Sequence, residues 1–174
     1  MERTLYAGNY LSLKKRGNYI YSHESRSNGK LVAILVYDSS CPNLVLGRYE
    51  ICPAHDDPLP QLCAITGGVD TGETPIESAI KEIREEAGYD TDETDLEYLG
   101  EIRPSKSADT WTYLYAFDAT GRPQYEITGD GSEYERGAYC KWVSKKEAIW
   151  CKDPLMAVML ARLSQPAKME FYHG

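Results

Sequence analysis

From Leu31 to Tyr37 the chain reads Leu31-Val32-Ala33-Ile34-Leu35-Val36-Tyr37, an unbroken apolar run rich in β-branched residues, with Asn28-Gly29 before it and Asp38-Ser39-Ser40 after it. Successive side chains of a strand point to opposite faces, so a run without polar alternation has two faces to bury. Lys30 to Tyr37 is therefore predicted as a buried central strand, and the rest of the fold must cover it. Asn43 to Tyr49 follows a Cys41-Pro42 turn and is expected to pair with it as a hairpin. Gln61 to Thr66 reads as a third, shorter strand, separated from the second by a loop punctuated by Pro53, Pro58 and Pro60.

The remaining segments point to an α/β class. Thr74-Pro75-Ile76-Glu77 opens a helix: Thr74 suits the N-cap, Pro75 the first helical position, and Glu77 closes a capping box. Ile76, Ala79, Ile80, Ile83 and Ala87 then recur at helical spacing as far as Gly88, a natural stop. Leu96 to Arg103, Thr110 to Ala119 and Ala138 to Val143 read as further strands, the last preceded by a polar, Gly-rich loop over 121–137. Ser144 caps a short helix, Lys145 to Trp150, and Asp153-Pro154 opens another with Leu155, Val158, Met159 and Leu163 on one stripe. Short alternating pieces between Leu5 and Glu24 read as a separate small sheet, giving an N-terminal β arm over 1–29 and a main domain over 30–174.

The chain has 174 residues, 19 Lys+Arg and 27 Asp+Glu, a formal net charge of −8. One domain with an N-terminal elaboration accounts for that length. The acidic balance argues against a nucleic-acid partner, because gripping a phosphate backbone needs a surplus of Lys and Arg. No apolar run approaches the roughly 20 residues of a membrane span, and Met1 to Tyr6 lacks a signal-peptide hydrophobic region, so the expected location is cytoplasmic. Cys41, Cys52, Cys63, Cys140 and Cys151 are scattered without a Cys-x-x-Cys pair, and His23, His55 and His173 lie far apart. Neither a disulfide framework nor a zinc centre is indicated.

Gly67-Gly68-Val69-Asp70-Thr71-Gly72-Glu73 leads into the first helix, which carries Glu82, Glu85 and Glu86. At about 100° per residue these three carboxylates share one sector of the helix. Exposed glutamates on a helix are commonly a solvated face; the Gly-rich turn ahead of these is what sets them apart. A cluster of carboxylates without His or Cys selects Mg²⁺ or Mn²⁺, and such ions supply the positive charge an acidic protein needs for phosphate chemistry.

This segment resembles the signature of the Nudix hydrolases: a glycine, five residues, a glutamate, seven residues, then Arg-Glu-apolar-any-Glu-Glu-any-Gly-apolar. Here it runs Gly67, Glu73, Lys81-Glu82-Ile83-Arg84-Glu85-Glu86-Ala87-Gly88-Tyr89, with Lys81 in place of the arginine. In the family that arginine holds the loop glutamate by a planar contact that a lysine does not reproduce. The resemblance implies an α/β/α sandwich with a mixed sheet, covering about 30 to 163. It implies Glu82 and Glu86 as the principal metal ligands, Glu85 as a further ligand with a catalytic part, Glu73 as support, and the Thr66 carbonyl as a backbone ligand. Gly67 and Gly68 would allow the tight turn that brings this backbone to the metal.

Features outside the motif resemble the ADP-ribose pyrophosphatases. Pro104, within Arg103-Pro104-Ser105-Lys106-Ser107, stands in a position and context similar to that subgroup's proline, and Gly8-Asn9-Tyr10-Leu11 with Tyr19-Ile20-Tyr21 is similar to its N-terminal arm. The resemblance implies a homodimer that exchanges arms, with Tyr19 or Tyr21 stacking on the base. Glu50 stands where that subgroup carries a phosphate-binding arginine, so Arg48, Arg103 and Lys106 are the candidate phosphate contacts. The catalytic base maps onto Glu133 or Glu135 in the long loop. The expected activity is hydrolysis of ADP-ribose or a related nucleotide sugar to a nucleoside monophosphate and a sugar phosphate. Triphosphate or dinucleoside polyphosphate hydrolysis, or non-catalytic nucleotide-sugar sensing, are the alternatives.

Overall fold

In a computed structural model, residues 1–127 and 137–165 are described. The chain runs β1 (Glu2–Ala7), β2 (Leu11–Arg16), β3 (Tyr19–Glu24), β4 (Lys30–Tyr37), β5 (Leu44–Glu50), β6 (Gln61–Cys63), β7 (Ile65–Gly68), α1 (Pro75–Glu82), β8 (Leu96–Ile102), β9 (Trp111–Asp118), β10 (Tyr139–Ser144), α2 (Lys145–Trp150) and α3 (Pro154–Leu163). Strands β1, β2 and β3 form an antiparallel sheet of their own. The main sheet has the order β10-β5-β4-β9-β8, with β4 and β9 parallel and the other pairs antiparallel.

Strand β4 is the spine, as its composition requires. Val32, Ile34 and Val36 face one core together with Ala79, Ile83 and Ala87 from α1 and the turn that follows it. Ala33 and Leu35 face the other with Ala148 of α2 and Met156, Met159 and Leu160 of α3. All five strand residues are fully buried, and each larger aliphatic side chain so buried contributes roughly 1.5–3 kcal/mol. The result is helix, mixed sheet, helix: an α/β/α sandwich.

Two local expectations need correction, and both concern the site. The single short strand expected over Gln61 to Thr66 is two. The β4–β5 hairpin is paired at Val36–Leu46 and Tyr37–Val45 and then splays, and a wedge of chain fills the gap, with β6 pairing to β5 and β7 to β4. The change of partner falls at Ala64, whose N–H donates to Asp153 Oδ2 at 2.8 Å, while Oδ1 of the same carboxylate accepts from Leu155 N at 2.9 Å to cap α3. A change of partner strand has no signature in the periodicity of one segment.

The motif helix is also not α-helical to its end. Thr74 and Glu77 form the expected capping box, but Ile83–Ala87 is π-helical, closed by a hydrogen bond from Gly88 N–H to the Ile83 carbonyl. Gly88 has φ 74°, and the following chain holds this end, with Gln124 Nε2 donating to the Ala87 carbonyl at 2.9 Å and Tyr125 N–H to the Gly88 carbonyl at 2.7 Å. Wide turns of this kind concentrate at functional sites. The sector drawn at a uniform α-helical step does not apply to Glu85 and Glu86.

Candidate functional site

The wedge and the motif helix meet at Gly67. A Cβ built there would lie 1.9 Å from Glu82 Oε1 and 2.2 Å from Glu82 Cδ. A side chain there would have to push Glu82 aside, so glycine lets the Glu82 carboxylate rest directly on the backbone beside Thr66. The neighbouring Gly68 is less constrained, since a Cβ there would meet Ser27 Cβ at 3.3 Å.

The glutamates of the π turn differ in setting. Glu82 and Glu85 are half-buried, whereas Glu86 is only 4% exposed. Glu86 Oε1 lies 3.1 Å from Arg48 Nη2, and Arg48, itself 2% exposed, also donates from Nε to Glu50 Oε2 at 3.0 Å. Burial works against the Arg48 charge, but the two carboxylates outweigh it and hold the guanidinium above its ordinary value. Arg48 is fixed from both sides, in register with Cys63 on β6 and Cys140 on β10. The Cys140 thiol donates to the Glu86 carbonyl at 3.1 Å, and burial pushes its pKa up to about 12.

The outer part of the motif is held differently. Glu73 accepts from Ser78 Oγ at 2.7 Å, so a buried serine of α1 anchors the loop glutamate. Lys81 instead reaches Asp70 Oδ2 at 2.9 Å, which raises its pKa. Lys81 thus ties down the Gly-rich turn at an exposed position, through Asp70 rather than Glu73.

Hard oxygen donors from Glu82, Glu85, Glu86 and the Thr66 carbonyl suit Mg²⁺ or Mn²⁺, and the backbone cradle at Gly67 places one of them where a bare main chain can contribute as well. Among the described residues, no three His, Cys, Asp or Glu groups are already gathered as a metal cluster; Glu86 faces Arg48.

Beside Glu50 and Thr66 opens a cavity of about 520 Å³, walled by the 52–57 loop, β6 and the start of α3, with His55, Asp57, Gln61 and Lys152 among its polar groups. Lys152 is paired with Asp57 at 3.2 Å. Its size is within the range of small-molecule sites. Sequence reasoning missed these residues, and missed Ser78 and the Arg48–Glu86 pair.

Other candidates gather elsewhere. Tyr19, Tyr21 and Lys106 line a smaller cleft of about 250 Å³ with Arg16 and Asp109, which shares no residue with the larger cavity. Tyr19 donates to the Lys106 carbonyl at 2.5 Å, and Ser22 N–H to the Ser107 carbonyl at 2.8 Å, so the arm docks on the turn that contains Pro104. Tyr21 is buried in the arm, its hydroxyl bonded to Glu2 and its ring 5.9 Å from the Arg16 guanidinium. Arg103 lies over the Trp111 ring at 4.0 Å. Glu133 and Glu135 lie outside the described residues.

Comparison with known proteins agrees with this architecture. A family model described as NUDIX domain matches residues 28–163. Among curated proteins no match is found. A crystal structure described as an ADP compounds hydrolase superposes with a TM-score of 0.59 at 18% identity, covering 95% of this chain and 82% of that one. At that identity the likeness bears on the fold.

Proposed function

The chain belongs to the NUDIX domain family, and from that premise we propose that, as a Nudix pyrophosphohydrolase, it splits the diphosphate of ADP-ribose or a related nucleoside diphosphate sugar. The products would be a nucleoside monophosphate and a sugar phosphate. The observation that carries this reading is the inner carboxylate group: Glu82 seated on the Gly67 backbone and Glu86 buried behind it beside Arg48. Together with the half-buried Glu85 they bring three carboxylates to one stretch of the motif, and hard oxygen donors without His or Cys suit a divalent cation of the Mg²⁺ type.

In this reading Glu82, Glu85, Glu86 and the Thr66 carbonyl hold Mg²⁺ or Mn²⁺. Such an ion, when bound, neutralises diphosphate charge and lowers the pKa of an attacking water. The protein's own groups do the positioning. Ser78 fixes Glu73 and with it the approach of the Gly-rich turn, and Gly67 leaves room for Glu82. Arg48 supplies a planar, permanently charged donor for a phosphate oxygen. The cavity beside Glu50 takes the sugar, because Glu50, Asp57 and Gln61 offer acceptors for hydroxyls while its one ammonium, Lys152, is already paired. Glu133 or Glu135 supplies the base.

The arm fits a second copy of the chain. Leu5, Tyr6, Leu11, Leu13, Tyr19 and Ile20 are all exposed on its small sheet, and apolar surface concentrated in this way marks an interface. A homodimer is the expected state, and sedimentation giving a clean monomer would remove the arm from the substrate site.

The activity is tested by product analysis over ADP-ribose, other nucleotide sugars, dinucleoside polyphosphates and triphosphates, each with Mg²⁺ and with Mn²⁺. Monophosphate plus sugar phosphate is expected. Pyrophosphate released from triphosphates, or no turnover of any compound, would contradict the reading.

A further inference from the structure

The cavity beside Glu50 carries more acid than base. Among the described residues that wall it, Glu50, Asp57 and Asp153 bring carboxylates, and Lys152 is the only lysine or arginine. Two of the carboxylates are engaged by donors of the protein itself: Asp153 accepts the N–H groups of Ala64 and Leu155, and Glu50 accepts from Arg48 Nε. Burial pushes the Cys63 thiol up, so it stays protonated and adds no charge. Asp57 is left with Lys152, whose Nζ lies 3.2 Å from its Oδ1.

The pair is lopsided. The Lys152 side chain is 74% exposed, but that of Asp57 is only 11% exposed. Breaking an exposed pair costs little; drawing the ammonium away from this one leaves a nearly enclosed carboxylate without a counter-charge, which is strongly unfavourable. Lys152 therefore stays with Asp57. A terminal sugar that bears a carboxylate or a phosphate would have to share that ammonium with Asp57, or lie against Asp57 and Glu50 where little water screens like charges. A hydroxyl meets no such obstacle, since it donates to a carboxylate oxygen.

We propose that Asp57 and Lys152 set substrate specificity as a charge filter: together they admit an uncharged, hydroxyl-bearing terminal group to the cavity and turn away one that carries a carboxylate or a further phosphate. The inference rests on the reading in which this cavity takes the sugar of a nucleoside diphosphate sugar. Discrimination of this kind comes from an unfavourable contact with the wrong group as much as from a favourable one with the right group.

The test is kcat/KM for two matched pairs, ADP-ribose against ADP-ribose bearing a phosphate on its terminal ribose, and UDP-glucose against UDP-glucuronic acid, in the wild type, Asp57→Asn and Lys152→Gln. Within a pair the nucleotide is constant and the terminal sugar gains one anionic group. The wild type should favour the uncharged member about tenfold or more, the scale of one charge-assisted hydrogen bond. Asp57→Asn removes the acid and releases the ammonium to the substrate, so the preference should shrink about tenfold or reverse. Lys152→Gln leaves the carboxylates uncountered, so the preference should widen several-fold. Opposite shifts in one ratio are the signature, because a purely structural role lowers both members alike and leaves their ratio unchanged. A wild type that shows no preference or favours the anionic member, or a ratio that stays put in either variant or moves the same way in both, overturns the proposal. If Asp57→Asn does not fold, Lys152→Gln decides alone: an unchanged or narrower ratio overturns it. A wild type that turns over no member of either pair removes the nucleotide-sugar reading itself, an outcome distinct from turnover whose ratio ignores the variants.

Discussion

The two ends of the signature motif are built on different principles. At the outer end, Asp70, Thr71 and Gly72 are exposed, and Lys81 pairs with Asp70 where water screens both. At the inner end, Glu82 rests on the Gly67 backbone and Glu86 sits behind it on a buried arginine. Exposed pairs contribute between nothing and about 1 kcal/mol, whereas removing one partner of a buried pair costs about 3–5 kcal/mol. The departure from the family pattern, Lys81 for arginine, therefore falls at the end where substitution costs least. Glu73 is anchored by Ser78 instead. The Lys81 substitution is thus compatible with an active enzyme.

The difference between the ends can be sharpened with thiol chemistry, where the largest contrast is expected. Burial raises Cys140 to about 12, so below that pH it stays protonated, and at pH 8 it holds roughly 10³-fold less thiolate than a thiol at the ordinary value of about 8.5. Iodoacetamide followed by peptide mapping should label the exposed Cys41 long before Cys140. Equal labelling would show that the inner end is open to solvent.

Next in size is Glu86→Gln. Turnover should fall by roughly 10²–10³-fold, the scale of losing one charge-stabilising group at an active centre, while circular dichroism shows a folded protein because Glu50 still faces Arg48. Turnover equal to the wild type would break the comparison at its inner end.

Gly67→Ala should follow, lowering metal affinity by roughly 10–100-fold as the new methyl group drives Glu82 off the backbone. Gly68→Ala is its control, because its tightest new contact is 3.3 Å, and calorimetric titration with Mn²⁺ should separate the two. The smallest effect belongs to the outer end. Lys81→Arg should change thermal stability by no more than a few tenths of a kcal/mol and leave turnover within a few-fold, as differential scanning calorimetry and steady-state assays would register.

What could be read from the sequence was local. The capping box at Thr74 and Glu77, the stop at Gly88 and the two-faced run of β4 are each decided by residues within a turn or a strand of one another. The strand break at Ala64 is decided by two different neighbours, β5 and β4, and the π turn by the chain that returns at Gln124 and Tyr125. Neither partner can be identified from the segment itself.

The Arg48–Glu86 pair did leave a signal. Strand periodicity places Arg48 on the same face as Leu46, which is 2% exposed. An arginine on a buried face requires a carboxylate opposite, and the only motif helix in the sequence offered three. The cavity residues His55, Asp57 and Lys152 left none, because they are assembled from a loop and a helix start far apart in the chain.

The most direct test of the claim that the inner end carries the chemistry is Mn²⁺ binding to the wild type, Glu86→Gln and Lys81→Ala, measured side by side. The account predicts binding to the wild type, its loss in Glu86→Gln and its retention in Lys81→Ala. Retention in Glu86→Gln, or loss in Lys81→Ala, would contradict it.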